Sequence, residues 1–222
     1  MASEIATIDA LTFSVCIQRV CGFTNSSADI YDPGKVSNKT MLINTFFPER
    51  ADREFILKFR PSEEDRKTAE EMIRYFRRNS FAVISGGTDL YATAVYATTQ
   101  SNTVSIKDFG ILASIPSSYL KEKSTKTLAS AAKNTLQEYI GKPGDVVTLA
   151  VEIVYTKYVE KIQCTEYVAV TDTDHLVQFL SKSCIGAVGD CVAIKAKVKG
   201  HGENWSTKSF QTALNYAKVI DL

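Results

Sequence analysis

The sequence predicts an α+β protein whose last eighty residues or so form a small five-stranded β-barrel. Residues 146–220 hold five segments with the alternation of β-strands and no helical pattern. Two helical patterns precede them, at residues 62–78 and 125–140. Gly141 as a helix C-cap, with Pro143 shortly after it, marks the boundary. We therefore expect an α+β N-terminal region, 1–140, and a barrel domain, 141–222.

Strands are predicted for much of the N-terminal region. Three segments combine β-branched and aromatic residues: 5–23, 40–47 and 53–59. A loop rich in Asn, Ser, Asp, Pro and Gly separates the first two, at residues 25–38. Strands return over residues 81–106, with a hairpin-like turn at 86–89.

Two helices are predicted between these strands and the barrel. Ser62 is the expected N-cap of the first, and Asp65 stands three residues later, close to a capping box. Its apolar stripe consists of Ala69, Met72, Ile73 and Phe76. The second helix is predicted over residues 125–140, where Leu128, Ala132, Leu136 and Ile140 are spaced by four.

The barrel strands are predicted at residues 146–155, 164–171, 176–180, 189–199 and 210–220. Similar Gly-x-x-Gly-Asp turns, 141–145 and 186–190, open the first and fourth strands. The fourth strand turns Val192, Ile194, Ala196 and Val198 to one side and Lys195, Lys197 and Lys199 to the other. Five strands in about eighty residues are typical of an OB barrel.

An OB barrel binds its ligand on strands two and three, between the loops joining strands one to two and four to five. Here these loops are 156–163 and 200–209. The basic and aromatic residues in or beside them are Lys157, Tyr158, Lys161, Lys199, His201, Trp205 and Lys208. Aromatic rings stack on bases and lysines contact phosphates, which is the combination expected of a single-strand binder.

Each of these features also has a simpler interpretation. The three lysines of the fourth strand fit either phosphate contacts or the solvated side of a barrel. Trp205 either stacks on a base or covers the barrel end. Of Tyr155 and Tyr158, one is expected to pack inward. Asp172, Asp174 and His175 are ligand types for a divalent ion, but an Asp-rich turn is the commoner explanation.

Composition restricts the possible functions. Twenty-six basic and twenty-five acidic residues give a net charge of +1, so nucleic-acid binding requires a local basic patch. Five cysteines without a C-x-x-C pair favour reduced thiols over disulfides or a metal site. No P-loop, G-x-S-x-G or H-E-x-x-H motif is present, so we expect neither an enzyme nor a cofactor. No signal peptide or membrane span is recognised, and a cytoplasmic protein is expected.

The end of the barrel resembles a known group of proteins. Residues 192–201, V-A-I-K-A-K-V-K-G-H, and 210–218, F-Q-T-A-L-N-Y-A-K, are similar to the closing hairpin of OB domains in tailed-phage and plasmid replication proteins. Segments 58–65 and 108–119 are similar to phage proteins of this group. The resemblance implies a phage single-stranded DNA-binding protein that serves replication or recombination in the host cytoplasm. The contact residues that it implies are Lys197, Lys199, His201, Gln211 and Lys218.

Three functional hypotheses follow. The first is single-stranded DNA binding with little sequence preference, which involves replication or recombination proteins as further partners. The second is a structural or adaptor protein that contacts only proteins. The third is an accessory domain that binds DNA only together with a polymerase or helicase. The predicted nucleic-acid-binding residues are Lys157, Tyr158, Lys161, Lys195, Lys197, Lys199, His201, Trp205, Lys208, Gln211 and Lys218.

Overall fold

The structure is a computed structural model that describes residues 4–32, 34–48, 58–78 and 90–220. The chain is α+β and divides into two compact units, Met1–Leu120 and Lys121–Leu222. Helices dominate the described part of the first unit, and a closed five-stranded barrel dominates the second. The second unit therefore includes residues 121–140, which the sequence analysis assigns to the N-terminal region.

The first unit packs short helices around one hydrophobic core. Its elements are β1 (Ile5–Ala6), α1 (Thr7–Cys21), α2 (Ala28–Tyr31), α3 (Asn38–Phe46), α4 (Glu63–Arg78), α5 (Leu90–Gln100), β2 (Thr103–Val104) and a 3-10 turn (Ile106–Asp108). Strands β1 and β2 pair antiparallel, with Ile5 opposite Val104. The core centres on fully buried Leu11, Leu42 and Phe109.

The strand predicted over residues 5–23 is wrong, because only Ile5–Ala6 is extended and the rest is helix α1. Its buried residues include Ala10, Leu11, Ser14 and Val15, which is helical spacing. The hydroxyl of Ser14 donates to the carbonyl of Ala10, four residues earlier, at 3.0 Å. This bond accommodates a polar residue inside a buried helix.

The strand predicted over residues 40–47 is also wrong. This segment belongs to helix α3, whose N-cap Ser37 accepts a hydrogen bond from the Thr40 N–H at 3.1 Å. Residues 90–100 of the predicted strand region 81–106 form helix α5, and only Thr103–Val104 is a strand there. Residues 53–57 and 81–89, including the turn 86–89, lie outside the described residues.

Helix α4 is confirmed. The Ser62 hydroxyl accepts from the Asp65 N–H at 3.1 Å, and the Asp65 carboxylate accepts from the Ser62 N–H at 2.8 Å. These two bonds make a reciprocal cap. The stripe packs inward as predicted, with Ala69 and Met72 buried and Ile73 against the core.

The helix predicted over residues 125–140 has different bounds. Helix α6 spans Phe109–Lys133 and passes through Pro116. It stops early because the Leu136 N–H donates to the Asp174 carbonyl oxygen at 2.7 Å, so the chain leaves the helical path. Residues 134–140 form an irregular segment, here called the strap, and Gly141 (φ +59°) lies in the turn after the strap rather than at a helix C-cap.

The five barrel strands are confirmed, with the first and fourth longer than predicted. They are β3 (Val146–Val159), β4 (Cys164–Thr171), β5 (Leu176–Ser181), β6 (Cys191–Glu203) and β7 (Phe210–Val219). The barrel closes in the order β3-β4-β5-β7-β6, and all pairs are antiparallel except β5 with β7. Strand β3 pairs first with β6 and then with β4, and a register shift at Ile153–Tyr155 lies near the change of partner.

The two Gly-x-x-Gly-Asp segments form matching corners. In the first corner, Gly144 N–H donates to the Val198 carbonyl at 2.9 Å, and Val198 N–H donates back to Asp145 at 2.8 Å. In the second corner, Gly189 and Asp190 make the same two bonds with Ile153, at 2.8 and 3.0 Å. The corners fix the starts of β3 and β6, and thereby the position of the lysines on β6.

Candidate nucleic-acid interface

Four lysines lie on the outer surface of β6 and β7, and together they are called the lysine face: Lys195, Lys197, Lys199 and Lys218. The first three alternate with buried Ala196 and Val198, so the barrel core turns them outward. Lys218 of β7 is the cross-strand partner of Lys195. All four are exposed, and none forms an ion pair with a residue in the described ranges.

Tyr216 stands beside these lysines and is absent from the sequence-based prediction. Strict alternation from the inward Leu214 would turn both Tyr216 and Lys218 inward. Between the pairs Lys197–Asn215 and Lys195–Lys218, however, β7 has one residue more than β6. Tyr216 adopts a left-handed backbone (φ +56°) at this bulge, and its side chain is 77% exposed.

His201 is exposed and lies two residues beyond Lys199, after a register shift between Val198 and Gly200 that pairs His201 with Thr212 of β7. It lies on the strand and not in the predicted loop 200–209, because β6 extends to Glu203. The ring of Tyr139, from the strap, stacks on His201 at 4.5 Å and on Phe210 at 4.9 Å between centroids. Tyr139 and Phe210 are absent from the sequence-based prediction, because they meet only where the strap crosses the β6–β7 end.

Trp205 lies in the tight turn between β6 and β7. Asn204 is fully buried and holds this turn, since its side-chain oxygen accepts from the N–H groups of Ser206 and Thr207, both at 3.0 Å. Trp205 is 58% exposed and belongs to neither hydrophobic cluster of the barrel unit. Lys208, in the same turn, is exposed with a left-handed backbone.

Gln211 is buried, with 6% of its surface exposed, and both ends of its amide bind protein groups. Its oxygen accepts from the Asn204 side chain at 2.6 Å, and its nitrogen donates to Gln178 at 2.6 Å. Gln178 in turn donates to the Glu166 carboxylate. Gln211 thus connects the Trp205 turn to the barrel wall.

The three candidates of the predicted loop 156–163 lie at the far end of β3. Lys157 and Tyr158 belong to the strand and not to a loop, because β3 continues to Val159. Lys161 lies in the following 3-10 turn. All three are exposed, whereas Tyr155 is buried, so one of the two tyrosines packs inward as predicted. Burial, together with the Glu166 carboxylate, raises the pKa of the Tyr155 hydroxyl.

Part of the outer surface of β4 and β5, around Val168 and Leu176, is covered by the chain itself. Leu128 and Ala132 of helix α6 are buried against Val168 and Leu176, which lie on neighbouring strands. The strap follows, and its Ile140 N–H donates to the Thr212 hydroxyl at 3.0 Å. The second and third strands of the barrel, where an OB ligand is expected, therefore carry a helix.

Three acidic residues of the barrel share a groove that includes none of the lysines of the lysine face. Glu152, Asp172 and Asp174 line an open groove of about 400 Å³, together with Cys191. Among the residues that the structure describes, no cluster of three His, Cys, Asp or Glu side chains is arranged to hold a metal ion. The His175 ring Nδ1 instead lies 3.1 Å from the Thr173 hydroxyl within the β4–β5 turn.

The five cysteines are unpaired thiols. Burial raises the pKa of Cys16 and of Cys21, which favours the protonated thiol at both positions. Within the described ranges, no helix has both the length and the apolar character that spanning a membrane requires.

Comparison of the chain with protein-family models, with curated proteins and with solved structures finds no match in any of the three. The resemblance to phage replication proteins therefore stays a prediction. The features of this chain that bear on function are the lysine face, the Trp205 turn and the stacked rings of Tyr139, His201 and Phe210.

Proposed function

We propose that the chain is a single-stranded DNA-binding protein that serves phage DNA replication or recombination through an OB-type barrel. The observation that carries this proposal is the lysine face, where four exposed cations without acidic partners adjoin exposed aromatic rings. Lysines that release counterions from phosphates, beside rings that accept stacked bases, are the two components of sequence-tolerant single-strand binding.

The barrel topology supports the OB interpretation. Five strands close a barrel in which β5 and β7, the third and fifth strands, run parallel and the remaining neighbours are antiparallel. This pattern fits the five-stranded Greek-key barrel of OB folds. The two glycine corners support it as well, since they bring β3 and β6 into the barrel in the same way.

Binding on this surface needs no covalent chemistry. Each lysine ammonium replaces counterions at a phosphate, and the gain comes from the entropy of the released ions. Trp205 and the outer faces of the His201–Tyr139–Phe210 stack accept any base, so little sequence preference is expected. Asn204 and Gln211 act as positioning residues, because they hold the Trp205 turn in place before DNA arrives.

A structural or adaptor role is the alternative, and one observation favours it. In helix α2 of the first unit, Ile30 is 75% and Tyr31 is 82% exposed, and adjacent apolar side chains of this kind mark protein contact sites. Protein binding through α2 and DNA binding through the barrel use different units, so a direct DNA-binding experiment separates the two functions.

The test is a titration of a fluorescent oligo-dT with the full chain at two salt concentrations. Four phosphate contacts give a slope of about −3 in log K against log salt, or about 50-fold weaker binding at 200 than at 50 mM salt. Binding also quenches the fluorescence of Trp205, the one tryptophan of the chain. Trp205→Ala weakens binding by about 1–3 kcal/mol. Absence of binding at low salt would refute the proposal and favour the adaptor function.

A further inference from the structure

The path of the DNA strand can be specified further on the basis of the proposed function. We infer that single-stranded DNA runs along the outer surface of β6 and β7, from Lys218 to Trp205, and that Tyr216 stacks on a base along the way. The strand does not cross β4 and β5, where an OB barrel is expected to hold it. Three observations lead to this inference.

The first observation is that helix α6 already occupies the part of the β4–β5 surface around Val168 and Leu176. Leu128 is fully buried and Ala132 nearly so, against Val154 and Val168 of the barrel. The Ser209 hydroxyl also donates to the carbonyl of Ala132, at 3.4 Å. A nucleic acid on this surface would have to displace the helix and expose these apolar side chains to water, which is unfavourable.

The second observation is the conformation of Tyr216. A bulky side chain with a left-handed backbone is uncommon, and such strained residues cluster at functional sites. In the described part of the chain, the Tyr216 ring has no aromatic or hydrogen-bonding partner. The bulge thus exposes an aromatic ring beside Lys195 and Lys218. Without the bulge, this position of β7 would face the barrel core.

The third observation is the length and charge of the path. Lys195 to His201 covers about 20 Å of β6, since a strand rises about 3.3 Å per residue. Lysines recur on the outer side at every second residue up to Lys199. Beyond the register shift between Val198 and Gly200, His201, the exposed Glu203 and Trp205 follow along the strand and its turn. A track with regularly spaced cations and aromatic rings at both ends complements a strand of a few nucleotides, near the lower limit of OB site sizes.

The experiment compares two exposed tyrosines of the barrel unit, Tyr216 and Tyr158, which are 77% and 59% exposed. Tyr216→Asn removes the ring and places there a residue that tolerates a left-handed backbone, so the barrel keeps its fold. Each variant is titrated with oligo-dT at low salt, and thermal unfolding is measured alongside. Tyr216→Phe keeps a stacking face and serves as the conservative variant.

The expected result is an affinity about 5- to 150-fold lower for Tyr216→Asn, with an unfolding temperature no lower than that of the wild type. Tyr216→Phe binds like the wild type, and Tyr158→Asn loses less affinity than Tyr216→Asn. Unchanged binding by Tyr216→Asn, or a larger loss in Tyr158→Asn, would overturn the path while leaving DNA binding intact. Failure of the wild type to bind would instead refute the proposed function.

Discussion

The ionised carboxylate of Asp65 links two helices of the first unit, and the stability of this unit depends on it. Its carboxylate caps helix α4 through the N–H of Ser62 and accepts two bonds from Arg19 of helix α1, both at 2.8 Å. Its side chain is almost fully buried, whereas Arg19 is half exposed. The Arg19 hydrogen bond is the main cause that lowers the pKa of Asp65 to about 2.

This pKa predicts how stability depends on pH. The folded-state pKa lies below the ordinary value of 3.8, so ionised Asp65 stabilises the fold above about pH 4. The contribution, about 2 kcal/mol, is lost as the pH falls towards 2. Asp65→Asn is therefore expected to unfold more easily than the wild type at pH 7 and to differ little from it near pH 2. Urea unfolding at both pH values measures this, and an equal difference at both would contradict it.

At the scale of single elements, the two barrel corners act as a pair. Gly144 (φ +104°) and Gly189 (φ +94°) occupy equivalent positions, each donating its N–H to a strand carbonyl of the opposite barrel half. The carboxylates of Asp145 and Asp190 each accept the N–H of the residue three positions earlier, at 2.8 and 2.7 Å. The same hydrogen-bonded glycine corner therefore occurs at the starts of both β3 and β6.

Because the two corners are equivalent, the same substitution is expected to lower the unfolding free energy equally in each of them. Gly144→Ala and Gly189→Ala each place a Cβ on a left-handed backbone, which costs about 1–2 kcal/mol of unfolding free energy. Nothing lies within 4 Å of the added Cβ at either position, so strain and not a clash is the cause. Gly202→Ala, on ordinary backbone with open space, is the control and is expected to change little. Clearly unequal losses in urea unfolding would show that the corners are not equivalent.

Sequence patterns predicted those elements whose signals are local. Helix α4 was predictable because Ser62, Asp65 and the apolar stripe all lie within it, and the barrel strands because their alternation is long. Helix α1 was not, since its Thr, Val and Ile residues favour strands when they stand alone, whereas tertiary burial selects the helix. The end of α6 is set by the bond from Leu136 to Asp174, a tertiary contact without a local signal.

The candidate site was predictable to a similar degree. The alternation of β6 shows Lys195, Lys197 and Lys199 to be outward, and the structure bears this out. The outward orientation of Tyr216 could not be predicted from the sequence, because one extra residue in β7 reverses the face of every residue after it. The packing of helix α6 on β4 and β5 could not be predicted either, because an alternating strand does not reveal what packs on its outer side.

At the scale of the molecule, the charge of the barrel segment is balanced in number, and three of its acidic residues lie apart from the lysine face. The barrel segment 141–222 has nine basic and nine acidic residues. Four of the lysines share the outer side of β6 and β7, whereas Glu152, Asp172 and Asp174 line the groove at the β4–β5 turn. Net charge is therefore a poor guide to this chain, since phosphate binding depends on the local field.

This separation predicts that altering a lysine of the lysine face changes the salt dependence of DNA binding, whereas altering a lysine away from the DNA path does not. Lys197→Gln removes one phosphate contact, so the slope of log K against log salt becomes less steep by about 0.7. Lys182→Gln removes the same charge from an exposed position between β5 and β6, outside the lysine face, and leaves the slope as it was. Oligo-dT titrations at several salt concentrations measure both slopes. Equal changes of the slope in the two variants would mean that DNA binding depends on the total charge of the protein and not on the lysine face. A change in Lys197→Gln alone places one phosphate next to the middle of β6, where Ala196 and Val198 anchor the strand in the core and Lys197 points into water.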